Sequence, residues 1–257
     1  MRKLLTGCVI LSLCSGAFAD YRIWMDRDGN EIEAEFVREL FDKVTLRKKN
    51  GSEVRMALDE FSELDQKYLR VKVPPAIDVE VKHRDWIWEE PPVLDGRDNP
   101  ITCHKVAVRV EKKSKRPYTS RLYAEIFFIG EEVEGNDNMI LVWKEDFDFI
   151  FPEGSRSSYY DYKSKEFRTA KDTLYESGRT SGETYSGYIL VIRDVEGTEL
   201  LHKTNVRGKW ADDPEVIKNL RELWVRGRAS IRSRHFDQNT GKKVRVNRAA
   251  DYSTPYY

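Results

Sequence analysis

The chain is predicted to be mainly β: a small barrel, then an antiparallel β-sandwich-like domain with one late helix. Three observations predict this. Apolar residues alternate at period two in short runs through most of the 257 residues, the pattern of strands with one buried face. Turn signals such as Asp28-Gly29, Asn50-Gly51 and Glu196-Gly197 separate the runs. Helical periodicity is confined to two stretches, one after Ser62 and one after Asp213.

Along the first domain, Tyr21–Trp24 reads as a strand and Asp28-Gly29-Asn30 as a tight turn. Ile32–Val37 alternates, as does Val44–Lys48. Asn50-Gly51 then favours the positive φ angles of a type I′ hairpin, with Ser52–Leu58 returning. Ser62 is placed to cap a short helix, with Asp65 three residues on and Leu64, Tyr68 and Leu69 as its apolar face. Four or five short strands and a helical turn in about 50 residues describe a small barrel.

The residues of this segment also resemble a known family. Arg22-x-Trp24-x-Asp26-Arg27-x-Gly29, Glu33-Ala34-Glu35-Phe36, Lys43-Val44-x-Leu46-x-Lys48-x-Asn50-Gly51 and Leu64-Asp65-x-x-Tyr68 are together similar to the SLA-one homology domain. That module is named for a fungal endocytic adaptor and is similar in secreted proteins of planctomycete- and verrucomicrobia-like bacteria. The resemblance implies a Src-homology-3-like barrel over residues 20–73. It also implies a peptide-binding surface for Asn-Pro-Phe-x-Asp-type ligands that includes the position of Lys48. Arg47 and Trp24 are assigned to the same surface, Trp24 being equally suited to the core. The last strand departs from the family pattern at Met56 and at Asp59-Glu60-Phe61.

Val73-Pro74-Pro75-Ala76 stops the helix and stiffens a linker, so the second domain is taken as 76–248. Val106–Val110, Leu122–Ile129, Met139–Trp143 and Tyr188–Ile192 read as strands, with turns at 134–138 and 195–197 and a hairpin joining Gly187–Arg193 to Thr198–His202. Short strands spaced by turn signals describe a sandwich of immunoglobulin-like type. Asp213 caps the late helix, Pro214 takes its first position, Val216, Leu220, Leu223 and Trp224 line one face, and it ends near Gly227. Residues 249–257 read as a disordered tail.

Residues 1–19 read as a cleaved secretory signal: Arg2 and Lys3, an apolar stretch from Leu4 to Leu13, and Ala17-Phe18-Ala19 as cleavage site. The stretch is shorter than the roughly 20 residues of a membrane-spanning helix. An exported protein is therefore expected, in periplasm, cell envelope or medium, and not membrane-spanning once the signal is removed. Cleavage takes Cys8 and Cys14 away and leaves Cys103 alone, so core packing rather than a disulfide must hold the fold.

Composition narrows the function. Forty-four basic and 44 acidic residues balance to zero, which excludes the strongly basic footprint of a general nucleic-acid binder. Charged residues are 34% and hydrophobic ones 40%, but 12% aromatics with six tryptophans suffice for a core. His83, His104, His202 and His235 fall in no zinc frame, no G-x-S-x-G, P-loop or G-x-G-x-x-G occurs, and no cofactor is implied. Cys103 and His104 are adjacent and so point to opposite strand faces. Asp146 and Asp148 share a strand face and are the candidate carboxylate pair of a glycosidase, or else part of a solvated face. Trp86 with Trp88, and Tyr159, Tyr160 and Tyr162 in a polar loop, are aromatic contacts for a glycan or partner, or core. The basic stretch 226–248 is suited to an anionic surface or glycan. The leading expectation is a non-enzymatic protein- or peptide-binding adaptor; the alternative is a carbohydrate-active or carbohydrate-binding envelope protein with its site in residues 77–257.

Overall fold

The computed structural model describes residues 21–40, 43–88, 97–98, 100–114, 116–133, 138–152, 159–174, 180–227 and 234–244. The expected signal and tail lie outside these residues, as do most of the turn at 134–138 and much of the basic stretch. Two compact units divide the chain, residues 1–69 and residues 70–257.

The first unit is an antiparallel meander of β1 (Arg22–Met25), β2 (Glu31–Leu40), β3 (Lys43–Lys48) and β4 (Glu53–Ala57). A 3-10 turn (Leu58–Glu60) leads into helix α1 (Glu63–Lys72). Trp24, Ala34, Val44, Leu46, Met56, Phe61 and Leu69 form its core. The expected barrel is not closed. After β4 the chain turns into α1 instead of continuing as a strand. A single antiparallel bridge, Asp26 to Phe61, ties β1 to that segment among the described residues, with Arg27 N–H donating to Glu60 O at 2.9 Å and Ser62 N–H to Met25 O at 2.9 Å. Leu64, expected on the apolar face of α1, is 78% exposed, because the helix turns Asp65, Tyr68 and Leu69 inward instead.

Three hairpins use one turn. Asp26 O accepts from Gly29 N–H while Asp26 N–H donates to Asn30 O; Lys48 repeats this with Gly51 and Ser52, and Asp194 with Gly197 and Thr198. The glycines have φ of +83°, +83° and +84°. The reversal at Asn50 is thus a three-residue loop closed by a left-handed glycine, not the two-residue type I′ turn expected. Asn50 Oδ1 secures it by accepting Ser52 N–H at 3.0 Å and Ser52 Oγ–H at 2.7 Å.

The second unit is one sheet folded over on itself, with a helix beneath. Its strands are β5 (Ile77–Trp88), β6 (Arg97–Asp98), β7 (Ile101–Lys112), β8 (Leu122–Glu132), β9 (Met139–Phe149), β10 (Tyr159–Lys163), β11 (Phe167–Leu174), β12 (Thr180–Arg193), β13 (Glu199–Thr204) and β14 (His235–Phe236). β5, β7 and β10 form one layer; β13, β12, β8, β9 and β14 form the other. β11 joins them, Phe167–Ala170 pairing with β7 and Lys171–Thr173 with β12. Between the layers lie Val79, Val106, Val108, Val110, Leu122, Ile126, Phe128, Leu190 and Ile192.

Helix α2 (Pro214–Gly227) covers the outer face of the second layer. Val216, Ile217, Leu220 and Leu223 pack there on Phe127, Ile129, Leu141, Ile189 and Val191. Asp213 caps it as expected, its Oδ1 accepting Glu215 N–H at 2.8 Å. Arg221 Nε meets Glu125 of β8 at 2.8 Å. With both faces covered, consecutive residues Phe127-Phe128 and Ile189-Leu190-Val191-Ile192 are all buried, which is why these runs lose the alternation of a one-sided strand.

Candidate binding surfaces

In the first unit, the residues that carry the family resemblance prove to be its internal clamp. Asp65 is buried and accepts from the Arg22 guanidinium, from Met25 N–H at 2.7 Å and from Ser62 Oγ–H at 3.1 Å, while its own N–H donates to Ser62 Oγ. Arg22 lies over the rings of Tyr68, at 3.7 Å, and Trp24, at 4.5 Å. Trp24 is 1% exposed, meets Phe61 and Tyr68 edge-on and donates its indole N–H to Ala34 O at 2.9 Å. It therefore backs the sheet and offers no surface of its own. Asp26 fixes the first hairpin, accepting Asn30 N–H and Nδ2–H at 2.8 Å each.

Lys48 and Arg47 end β3 on opposite sheet faces. Arg47 is exposed and held by Glu35 at 3.2 Å and Glu53 at 3.6 Å. Lys48, half-buried beside Ala34 in the register, has no ion-pair partner among the described residues. Lys49 is paired with Glu33.

In the second unit the three tyrosines separate. They lie on edge strand β10 rather than in a loop, and strand alternation sends Tyr160 and Tyr162 inward against Phe149 and Phe147 at ring distances of 4.7 and 3.8 Å. Tyr159 stays outside under the Arg109 guanidinium, 4.4 Å away. The Tyr162 hydroxyl donates to buried Glu145, which also accepts Trp143 Nε1–H at 2.8 Å and Lys165 N–H at 2.9 Å. Tyr162→Phe should lower stability by about 1–2 kcal/mol by leaving a buried carboxylate short of a donor, and Tyr159→Phe by a few tenths at most; urea titration distinguishes them. Asp146 and Asp148 are exposed and ion-paired, to Lys144 and to Arg121 at 2.8 Å, which describes the solvated face rather than an acid–base pair. Cys103 is buried, and desolvation with nearby Glu166 pushes its thiol pKa up, contrary to what a nucleophile needs. Of the basic stretch, Arg234 is buried, donating to Val142 O at 2.7 Å, and Arg226 pairs with Glu222 at 3.4 Å.

Strand pairing creates two groupings that sequence order hides. His83 Nε2 and His104 Nδ1 are 3.0 Å apart, His104 Nε2 is 2.9 Å from Thr169 Oγ1, and Tyr185 stacks beside both imidazoles. A bulge in β12 between Tyr185 and Gly187 re-aims that ring. On the opposite, solvent-facing side, β5 presents Lys82, Arg84, Trp86 and Trp88, with Lys105 of β7 at 5.4 Å over Trp86 and Arg168 of β11 at 4.6 Å over Trp88. The register that aligns β5 with β7 is the missing signal, and no spacing in the chain encodes it.

Comparison with known proteins fits this picture in part. Residues 15–73 match the family model of SLA1 homology domain 1. No curated protein matches the chain. A Northeast Structural Genomics Consortium target, SoR45, is similar at 9% identity, covering 52% of this chain and 89% of that one with a TM-score of 0.22. A crystal structure of a protein from Akkermansia muciniphila is similar at 15% identity, covering 55% and 77%, with a TM-score of 0.26. Among the described residues no helix is long and apolar enough to cross a membrane. By the family match, the N-terminal segment that the residues of the clamp and hairpins singled out, rather than the whole chain, is placed with SLA1 homology domain 1.

Proposed function

We propose that the protein is an exported, non-enzymatic adaptor whose first domain binds a peptide segment of a partner protein. The match of residues 15–73 to SLA1 homology domain 1, a protein-binding module family, carries this reading. Lys48 supports it. Its ammonium has no counter-charge among the described residues, so a ligand carboxylate gains an attraction that no internal carboxylate competes for. Arg47 shares its charge with Glu35 and Glu53 and contributes less. Trp24 acts from below, by keeping the sheet rigid.

The test is selection of peptide ligands on the full chain from a displayed library, followed by titration against Lys48→Glu and Arg47→Glu. Lys48→Glu should weaken binding about tenfold or more with an unchanged unfolding transition, and Arg47→Glu by less. Unaltered affinity in Lys48→Glu would remove this surface from the function.

A further inference from the structure

We propose a second binding surface, on the second unit: the open edge of β5 over Lys82–Trp88 accepts an extended acidic segment of a partner polypeptide as an added strand. This is independent of the reading of the first domain and of Lys48.

The edge is available. β5 pairs with β7 along all twelve residues, Ile77 with Lys112 through Trp88 with Ile101, and with no other strand among those described. Lys113 N–H donates to Ala76 O at 2.9 Å, which sets the alternation. Even-numbered residues of β5 exchange hydrogen bonds with β7, and odd-numbered ones point their backbone groups away. The outward carbonyl of Val79 is taken by Lys203 Nζ. Beyond it, Val81, His83, Asp85 and Ile87 present a row of N–H and C=O groups to any incoming strand.

From Lys82 to Trp88 every residue except half-buried Trp86 is exposed, Ile87 at 65% and Trp88 at 44%. An exposed strand edge of this kind is a template for pairing with another chain.

Charge selects the occupant. The solvent face beside the edge carries Lys82, Arg84, Lys105 and Arg168, with Glu166 3.1 Å from Arg168 and 3.9 Å from Lys105; Glu80 pairs with Lys82 at 3.1 Å, and Asp161, paired with Arg109, also lies within electrostatic reach of Lys82. This basic patch stands out in a chain whose formal charge is zero. An added strand places alternate side chains over this face, so its acidic residues meet Lys82 and Arg84 and run on past Trp86 and Trp88, while the apolar residues between them lie beside Val81 and Ile87. A second copy of β5 fits poorly in registers centred on His83, which set Lys82 against Arg84, and on Arg84, which set Arg84 against its own copy.

The experiment is fluorescence anisotropy with the full chain and a labelled ten-residue peptide alternating Glu and Val, its Lys–Val counterpart, and a Glu–Val peptide N-methylated at its Val residues, whose N–H groups face β5. Glu–Val should bind at least about tenfold more tightly than either control, and Arg84→Glu should lose that preference with an unchanged melting curve. Equal binding of the acidic and basic peptides, or full tolerance of N-methylation, overturns the proposal. So does capture of polygalacturonate without capture of peptide, which would assign the face to acidic glycans. Dimerisation in sedimentation, abolished by Ile87→Pro, which removes an outward N–H of β5, would overturn it in favour of self-association.

Discussion

Replacing Asp65 with Ala should destabilise the first unit by about 3–5 kcal/mol, the cost of stranding a buried charge partner. Its carboxylate meets three donors from three parts of the chain: the Arg22 side chain, the backbone of Met25 and the hydroxyl of Ser62. Removing it leaves the half-buried Arg22, set against Trp24 and Tyr68, without its counter-charge and unfixes the start of α1. Small domains have total stabilities of only about 5–15 kcal/mol, so the variant should leave this unit largely unfolded under mild urea while the second unit persists. Hydrogen exchange resolved by segment reads the two separately. Arg22→Met with Asp65→Leu should recover part of the loss, since an apolar pair replaces a buried ion pair at little cost. A loss below about 1 kcal/mol in Asp65→Ala would show that the clamp is not what holds the sheet to the helix.

The second unit should lose on the order of 2–3 kcal/mol as pH falls from about 6.5 to about 4, through His104. Burial, and then the positive charge of His83, push its pKa down to about 4 from 6.5, and Asp85 opposes this only weakly. It is 3% exposed and is held neutral between His83 and Thr169. Burial lowers His83 as well. The unfolded chain therefore binds a proton that the folded one refuses. Stability is complete above pH 6.5 and declines until the folded imidazole itself titrates. Carboxylates contribute below pH 5, so the comparison is with His104→Gln, whose stability should vary less over the same interval. Matching slopes for the two proteins would show that acid sensitivity arises elsewhere.

Much of this was legible in the chain because it is local. Asp213-Pro214 and the apolar spacing after it define α2. Glycine after a polar residue marks the hairpins, although the position of the left-handed residue distinguished a three-residue loop from the expected type I′ turn only in three dimensions. Resemblance identified the first domain, yet its open sheet was not expected, because closure depends on where the chain goes after Ala57. The candidate sites were harder. Tyr159, Tyr160 and Tyr162 looked alike in a polar context, and only the pairing of β10 with β7 assigned two of them inward. His83 and His104, or Trp86 and Arg168, are far apart in sequence and meet through strand register, a long-range property that residue spacing does not carry.

The sheet of β8, β9 and β12 is sealed above by β7 and below by α2, and this sets an order to how the unit comes apart. Amides in Ile126–Ile129 and Ile189–Ile192 have no local route to water, so their hydrogen exchange should proceed only through complete unfolding and report its free energy directly. Those of β5 and β10, each bordered on one side among the described residues, should exchange by fraying many orders of magnitude sooner. A partner strand laid along β5 would convert that outer strand from a margin into an interior. Its amides would then join the slow class, giving a record, residue by residue, of where the partner lies.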